Sequence, residues 1–289
     1  MSGTAVGTKK FAYFPGCSLK SSAAEYDHST RVVFGRLGID LEELDGWTCC
    51  GASSAHTISR DLAIALPLRN LALAEPAGLD VMTPCASCFN RLKVAESTVL
   101  EDPAAKKRME EVLERQYNGG VKVISILDLL DEHIGLDTVK KNMVKSLSGL
   151  KIVSYYGCLM VRPPKKVKAQ DPDNPTSLDD LMGALGAEPK FWAYKTDCCG
   201  AGHAMARSDI VTTLVGKLHD MAREAGADAI VTACSMCHAN VDMRQGADPL
   251  PVFYFTELMA LAMGLPEVNG WLLKHLVSPM PLLQKLNLL

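Results

Sequence analysis

Short apolar, β-prone runs alternate with longer helical stretches along this chain. Phe11–Pro15, Leu41–Trp47, Leu79–Thr83 and Val121–Ile126 predict strands, because each is compact, rich in branched or aromatic residues and bounded by turn formers. Between them Ile58–Ala74 predicts a helix, with Ile58, Leu62, Ala65, Leu66 and Leu73 on one side. The pattern then recurs: Ile152–Tyr156, Phe191–Tyr194, Ala229–Thr232 and Val252–Phe255 predict strands, and Ser208–Ala225 a helix. Strands alternating with helices predict an α/β fold of mainly parallel sheets flanked by helices.

The polar positions repeat too. Cys49, Cys50, Cys85 and Cys88 return 149 positions later as Cys198, Cys199, Cys234 and Cys237. Cys17 returns as Cys158 after only 141, because R-P-P-K-K-V-K-A-Q-D-P-D-N-P carries an eight-residue insertion behind Cys158. The flanking text agrees, with A-G-L-D-V-M-T-P-C-A-S-C against A-G-A-D-A-I-V-T-A-C-S-M-C. A duplication follows, giving two homologous, pseudo-symmetric domains at 1–147 and 148–289. Every cysteine falls just past the carboxyl end of an expected strand, where open α/β sheets place their ligands.

Composition narrows the chemistry. Of 289 residues, 48% are apolar and 22% charged, and the net charge is −3. That balance leaves no basic face for nucleic acid. The opening M-S-G-T-A-V-G-T-K-K has no apolar core of a secretory signal. The most apolar stretch, V-F-Y-F-T-E-L-M-A-L-A-M-G-L, contains Glu257 and is shorter than the roughly 20 residues of a membrane span. No membrane span and a cytoplasmic location are expected, and there ten cysteines do not read as a disulfide framework.

Adjacent cysteines are poor disulfide partners, since neighbouring Cα atoms stand about 3.8 Å apart against a usual span of about 4.4–6.8 Å. Structural zinc takes four ligands, as does a regular cubane iron–sulfur cluster, which leaves one thiol of each set over. Neighbouring side chains of an extended strand point apart, so Cys49 and Cys50 can share a site only if the chain turns, and Gly51 allows that, as Gly200 does for Cys198 and Cys199. Two thiolates 4 Å apart repel by roughly 4 kcal/mol at an effective dielectric near 20, so five of them need several metal charges. A multi-iron cluster with five thiolate ligands, present twice, meets those conditions.

The pattern C-x31-C-C-G-x33-C-x2-C followed by C-x39-C-C-G-x33-C-x2-C resembles, over essentially the whole chain, the two cysteine-rich CCG domains of the B subunit of heterodisulfide reductase or of its bacterial and sulfur-metabolism homologues. The resemblance implies two noncubane 4Fe-4S clusters, one on Cys17, Cys49, Cys50, Cys85 and Cys88 and the other on Cys158, Cys198, Cys199, Cys234 and Cys237. It implies a catalytic subunit that reduces or forms a small disulfide or thiol substrate between them. The chain has no C-x2-C-x2-C-x3-C-P run and no G-x-G-x-x-G, so a ferredoxin-type iron–sulfur partner, resembling the C subunit of that complex, and a flavoprotein, resembling its A subunit, are expected to feed it. The alternative is a pure electron-transfer subunit of a flavoprotein dehydrogenase or quinone-linked complex.

Further candidates surround the cysteines. Lys20 follows Cys17, and Arg162, Lys165, Lys166 and Lys168 follow Cys158; these cations are expected to hold an anionic substrate. His203 and His56, each shortly after a C-C-G turn, are candidate proton donors. The leucine- and proline-rich tail from Trp271 onward is expected to pack on its own domain.

Overall fold

The computed structural model describes residues 9–52 and 54–289. The first eight residues, on which most of the expectation of no secretory signal rests, lie outside them. Eight strands form two four-stranded sheets. In the first, β1 (Lys9–Tyr13), β2 (Ile39–Glu43), β3 (Val81–Thr83) and β4 (Val123–Ser125) lie in the order β2-β1-β3-β4. In the second, β5 (Lys151–Tyr155), β6 (Glu188–Pro189), β7 (Ala229–Thr232) and β8 (Val252–Tyr254) lie in the order β6-β5-β7-β8. All pairings are parallel. The short central strands are buried on both faces, as parallel sheets covered by helices require.

Six helices matter for the site: α1 (Ala24–Arg36), α2 (Arg60–Ala74), α3 (Ala86–Glu101), α4 (Ser208–Glu224), α5 (Ser235–Met243) and α6 (Phe255–Ala262). In each sheet the chain leaves the first strand outward to one neighbour and returns to the other side. The switch point therefore lies between β1 and β3, and again between β5 and β7, and its two loops carry the first cysteine and the C-x2-C pair.

Two expectations shift. Phe191–Tyr194 is not a strand; the edge strand is the shorter Glu188–Pro189, and Phe191 is 78% exposed. An edge strand bonded on one side needs little apolar sequence, so its position was not encoded by hydrophobicity. The helix expected from Ile58 starts at Arg60, because Ser59 is extended (φ −157°, ψ 139°) and caps it by accepting from Leu62 N. Its buried face is Ala65, Leu68, Leu71 and Ala72, while Ile58, in the separate turn Ala55–Ile58, is 73% exposed.

The halves meet through matched surfaces. The one-turn helix Gly16–Leu19 packs on α5 of the other half, and the one-turn helix Cys158–Val161 packs on α3. Helix α1 packs on α6, where the Tyr26 and Tyr254 rings stack 4.1 Å apart and Ser29 hydrogen-bonds Thr256 at 2.7 Å. Burying both hydroxyls as a pair avoids two unsatisfied groups at this seam. The linker commits to the second half before β5: Val144 and Lys145 N donate to Ala262 O, and Leu147 N to Leu185 O. The tail folds back, with Leu283 and Leu288 buried and Lys145 Nζ donating to Leu288 O at 2.6 Å.

Candidate functional site

Each half gathers its cysteines at the carboxyl edge of its sheet. In the first, Cys50, Cys85 and Cys88 are buried while Cys17 and Cys49 are exposed, and Cys50 Sγ lies 3.3 Å from Cys88 Sγ. In the second, Cys199, Cys234 and Cys237 are buried, Cys158 is half-buried and Cys198 exposed, and Cys199 Sγ lies 3.8 Å from Cys237 Sγ. A buried floor and an open rim thus recur in both. The turns after the adjacent cysteines form as expected, with Gly51 at φ +73° and Gly200 at φ +78°, and their backbone N–H groups donate to Cys49 and Cys198 Sγ at 3.4 and 3.3 Å.

Glycine also shapes the floor. Gly16 and Gly157 hold φ +73° and +70°, and a Cβ there would stand 2.7 Å from Cys88 Sγ and 2.8 Å from Cys237 Sγ. No side chain fits between the first cysteine turn and the C-x2-C sulfurs.

The sulfurs interact closely enough to perturb one another. Hydrogen bonds from Cys49 and then Cys88 pull the Cys50 thiol down to about 4, while donation to Cys50 and Cys85, with burial, holds Cys88 well up. In the second half, bonding from Cys158 takes Cys198 down to about 6, and bonding from Cys237 takes Cys199 down to about 7. His203 adds to the lowering of Cys198. The strongest influence on Cys85 comes from across the seam: a hydrogen bond from Cys234, which lowers it. Cys234 in turn is drawn down by Cys237, but donation to Cys85 and full burial win and its thiol is raised. The two cysteine sets therefore come near each other at Cys85 and Cys234, near enough for each thiol to shift the other. The repeat places the two loops in matching positions within their own sheets and says nothing of their meeting.

This donor set fits a multi-iron cluster in each half. Five sulfurs converge on a glycine-cleared floor, some within 3.3–3.8 Å of each other with no disulfide between them. The matched Thr83 and Thr232 hydroxyls, two residues before Cys85 and Cys234, are buried without a partner, which leaves donors for a bound group.

The remaining candidates separate. His203 acts on Cys198, whereas His56 is exposed in the turn Ala55–Ile58. Lys20 is paired with Glu43 at 2.6 Å, and Arg162 with Asp173 at 2.5 Å. The Arg162 and Leu159 carbonyls both accept from Asn90 Nδ2, which ties the Cys158 turn to the first turns of α3. Lys166 is not at the site: it pairs with Glu101 at 2.5 Å, the last residue of α3, about 24 Å along the helix from Cys85 at a rise of about 1.5 Å per residue. Lys165 and Lys168 are exposed. Beside the sites a cleft of about 730 Å³ runs along the seam, lined among others by Lys93, Asp128, Asp131, Tyr156, Met160 and Asp180, and no cysteine lines it.

The chain matches the cysteine-rich CCG domain over residues 11–93 and 152–242. It is 32% identical to the 8-methylmenaquinol:fumarate reductase membrane anchor subunit of Wolinella succinogenes, over 89% of this chain and 93% of that one. It is 32% identical to a protein of Archaeoglobus profundus described as like the B subunit of heterodisulfide reductase, over 89% and 92%. The B subunit of the ferredoxin/F(420)H(2)-dependent CoB-CoM heterodisulfide reductase of Methanosarcina acetivorans is 29% identical over 90% of this chain and 92% of its own length. A crystal structure of a hypothetical protein from Helicobacter pylori shares the fold over 92% of this chain at 12% identity, with a TM-score of 0.70; this chain spans 51% of that protein's length. Among the described residues no helix is long and apolar enough to cross a membrane.

Proposed function

The chain belongs to the CCG family of cysteine-rich domains and is an iron–sulfur oxidoreductase subunit, and from that premise we propose that it reduces, or in reverse forms, a small disulfide at the junction of two noncubane 4Fe-4S clusters. The observation that carries this reading is that each first-cysteine turn packs on the helix that follows the other half's C-x2-C pair, which brings the two cysteine sets to one seam where Cys85 and Cys234 influence each other. Cys17, Cys49, Cys50, Cys85 and Cys88 would hold one cluster, and Cys158, Cys198, Cys199, Cys234 and Cys237 the other. Such clusters supply one-electron steps when bound.

The protein groups have separate tasks. The buried cysteines fix the floor, and the exposed edges at Cys17, Cys49 and Cys198 leave the rim open to a substrate. His203, whose charge acts on Cys198, would give a proton to a departing thiolate. Lys20, Arg162 and Lys165 follow the first cysteine of each set; an anionic substrate competes with Glu43 for Lys20 and with Asp173 for Arg162, while Lys165 has no acidic partner among the described residues. Two electrons and two protons convert one disulfide into two thiols. A ferredoxin-type iron–sulfur protein and a flavoprotein deliver the electrons.

A second reading is an electron-transfer role within a quinone-linked reductase, and the named relative from Wolinella succinogenes favours it. One experiment separates the two. The anaerobically purified protein is assayed for iron and acid-labile sulfide, reduced with dithionite, freed of excess reductant and mixed with an anionic mixed disulfide. Release of two thiols per two electrons consumed supports disulfide chemistry. Reduced clusters that ignore disulfides and reoxidise only with a quinone analogue or a partner protein support the second reading, and zinc without sulfide overturns both.

A further inference from the structure

Behind the second cysteine site lies a buried group that the proposed chemistry does not use. We propose that His238, Glu257 and His275 form a separate nitrogen–oxygen metal site, which takes one divalent cation of the zinc class and clasps the C-terminal segment to the second domain. The three residues come from three places: His238 from α5, Glu257 from α6, and His275 from the chain following the short helix Val268–Leu272. All three are buried, and one ligand atom from each lies within 4.8 Å of the other two. Tetrahedral zinc with bonds of about 2.0–2.1 Å sets its ligand atoms roughly 3.3–3.4 Å apart, so a small inward movement of side chains closes the site.

The hydrogen bonds fix which ring nitrogens are available. His238 Nε2 lies 2.7 Å from the Val252 carbonyl, which only accepts, so Nε2 carries the hydrogen and the lone pair sits on Nδ1. His275 Nε2 lies 2.9 Å from Glu257 Oε1, and its Nδ1 is buried with no partner on a side chain 1% exposed. An orphaned ring nitrogen that deep is what simple packing leaves unexplained. Glu257 is itself held, since its second oxygen accepts from Tyr254 N at 2.9 Å, and such outer hydrogen bonds orient ligands in metal sites.

Charge points the same way. Glu257, fully buried, bonds His275, and Asp242 and Glu25 add to the negative field at the ring, with Lys274 acting on Glu25. A dication offsets that surplus where a lone protonated imidazole does not. Two imidazoles and one carboxylate are a zinc ligand set, which keeps one position for a solvent oxygen. The cation would join α5, which carries Cys237, to α6 and to the tail.

The test uses the intact chain as purified, with all cysteines retained. Metal analysis and X-ray absorption should find one zinc per chain with nitrogen and oxygen ligands alone. Cobalt(II) should give weak visible bands at that site without the strong near-ultraviolet absorption of thiolate ligation. Once a chelator has removed that zinc, the wild type should lose several degrees of melting temperature and regain them when zinc is added back, whereas His275→Gln and Glu257→Gln should not respond. The proposal is overturned if every bound zinc or cobalt is thiolate-ligated, if zinc leaves the wild-type melting temperature unchanged, or if both variants respond to zinc as the wild type does. The wild-type measurements stand even where a variant fails to fold.

Discussion

The two cysteine sites share a ligand pattern and differ in what surrounds it. Phe14 in the first half and Tyr155 in the second occupy matched places, each about 3.8 Å from the Cβ that a side chain at Gly16 or Gly157 would carry. The first site therefore has an apolar ring where the second has a phenol, which donates to Asp197 O at 2.8 Å and contacts Cys199. Beside the first site, Tyr13 donates to Asp27 at 2.7 Å beneath the Arg31 guanidinium, and Arg31 and Lys20 converge on Glu43. The second has His203 and the insertion after Cys158. Duplication preserved the cysteines and left the flanks free to diverge, so that clusters held by the two sets would not need to share one potential.

The comparison breaks most severely at the ligands. Cys50→Ser should remove the iron of the first half alone, and Cys199→Ser that of the second, each about half the total by iron and sulfide assay. Cys85→Ser should also disturb the spectrum of the other half, because Cys85 and Cys234 influence each other across the seam. Equal, confined losses for all three would show that the halves are independent.

Next come the floor glycines. Gly16→Ala and Gly157→Ala each place a methyl less than 3 Å from a cysteine sulfur and impose a left-handed conformation on a non-glycine residue. Each should cost roughly 1–3 kcal/mol for the backbone alone, Gly157 at φ 70° and ψ 171° lying where essentially only glycine goes, with further loss from the clash, and should lower cluster content in its own half only.

At the seam, Asp131, exposed as a residue but with its carboxyl partly desolvated, is pushed up to about 6, first by that desolvation and then by Asp128, Asp180 and Glu132. Its folded value lies above the unfolded one, so its favourable contribution is full below about pH 3.8 and is lost as pH rises through 6. At pH 7.5 the carboxylate is therefore a penalty. Asp131→Asn should stabilise the protein there by about 1 kcal/mol, after discounting for its partly exposed position, and raise the melting temperature by about 2–4 °C. The gain should vanish near pH 4. A gain that persists there would mean that electrostatics is not its cause.

The smallest effect expected sharpens the contrast directly. Tyr155→Phe makes the second site resemble the first, and loss of the phenol beside Cys199 should shift the midpoint potential of the second-half signal downward, with cluster content unchanged. An unshifted titration would mean that the hydroxyl serves only Asp197.

Much of the site was legible because its information is local. Cysteine spacing, the turn glycines after the adjacent cysteines and the alternation of strand and helix are short-range features, and they place five sulfurs at one sheet edge. The fate of the nearby cations was not legible, since Lys166 finds Glu101 across 65 positions and Lys20 finds Glu43 across 23. A charged residue's partner depends on which surfaces meet, and hydrophobic periodicity carries no trace of that. Phe191 misled for a related reason: an aromatic, β-prone run reads as a strand, but strand formation at a sheet edge is decided by which backbone reaches its neighbour.

The sequence by itself determined that there are two copies of one parallel α/β unit, that each collects five thiols, and that the chemistry calls for more metal charge than a single ion brings. Those conclusions rest on ligand type, ligand number and the repeat, all of which are linear properties. Only the tertiary structure decided that Cys85 and Cys234 are the cysteines that draw near across the seam, that the floor clears a side chain's width at Gly16 and Gly157, and that His238, Glu257 and His275 close on one buried point. Those outcomes follow from how two folded surfaces pack, a property fixed by shape and buried area between distant segments rather than by the order of residues within any one of them.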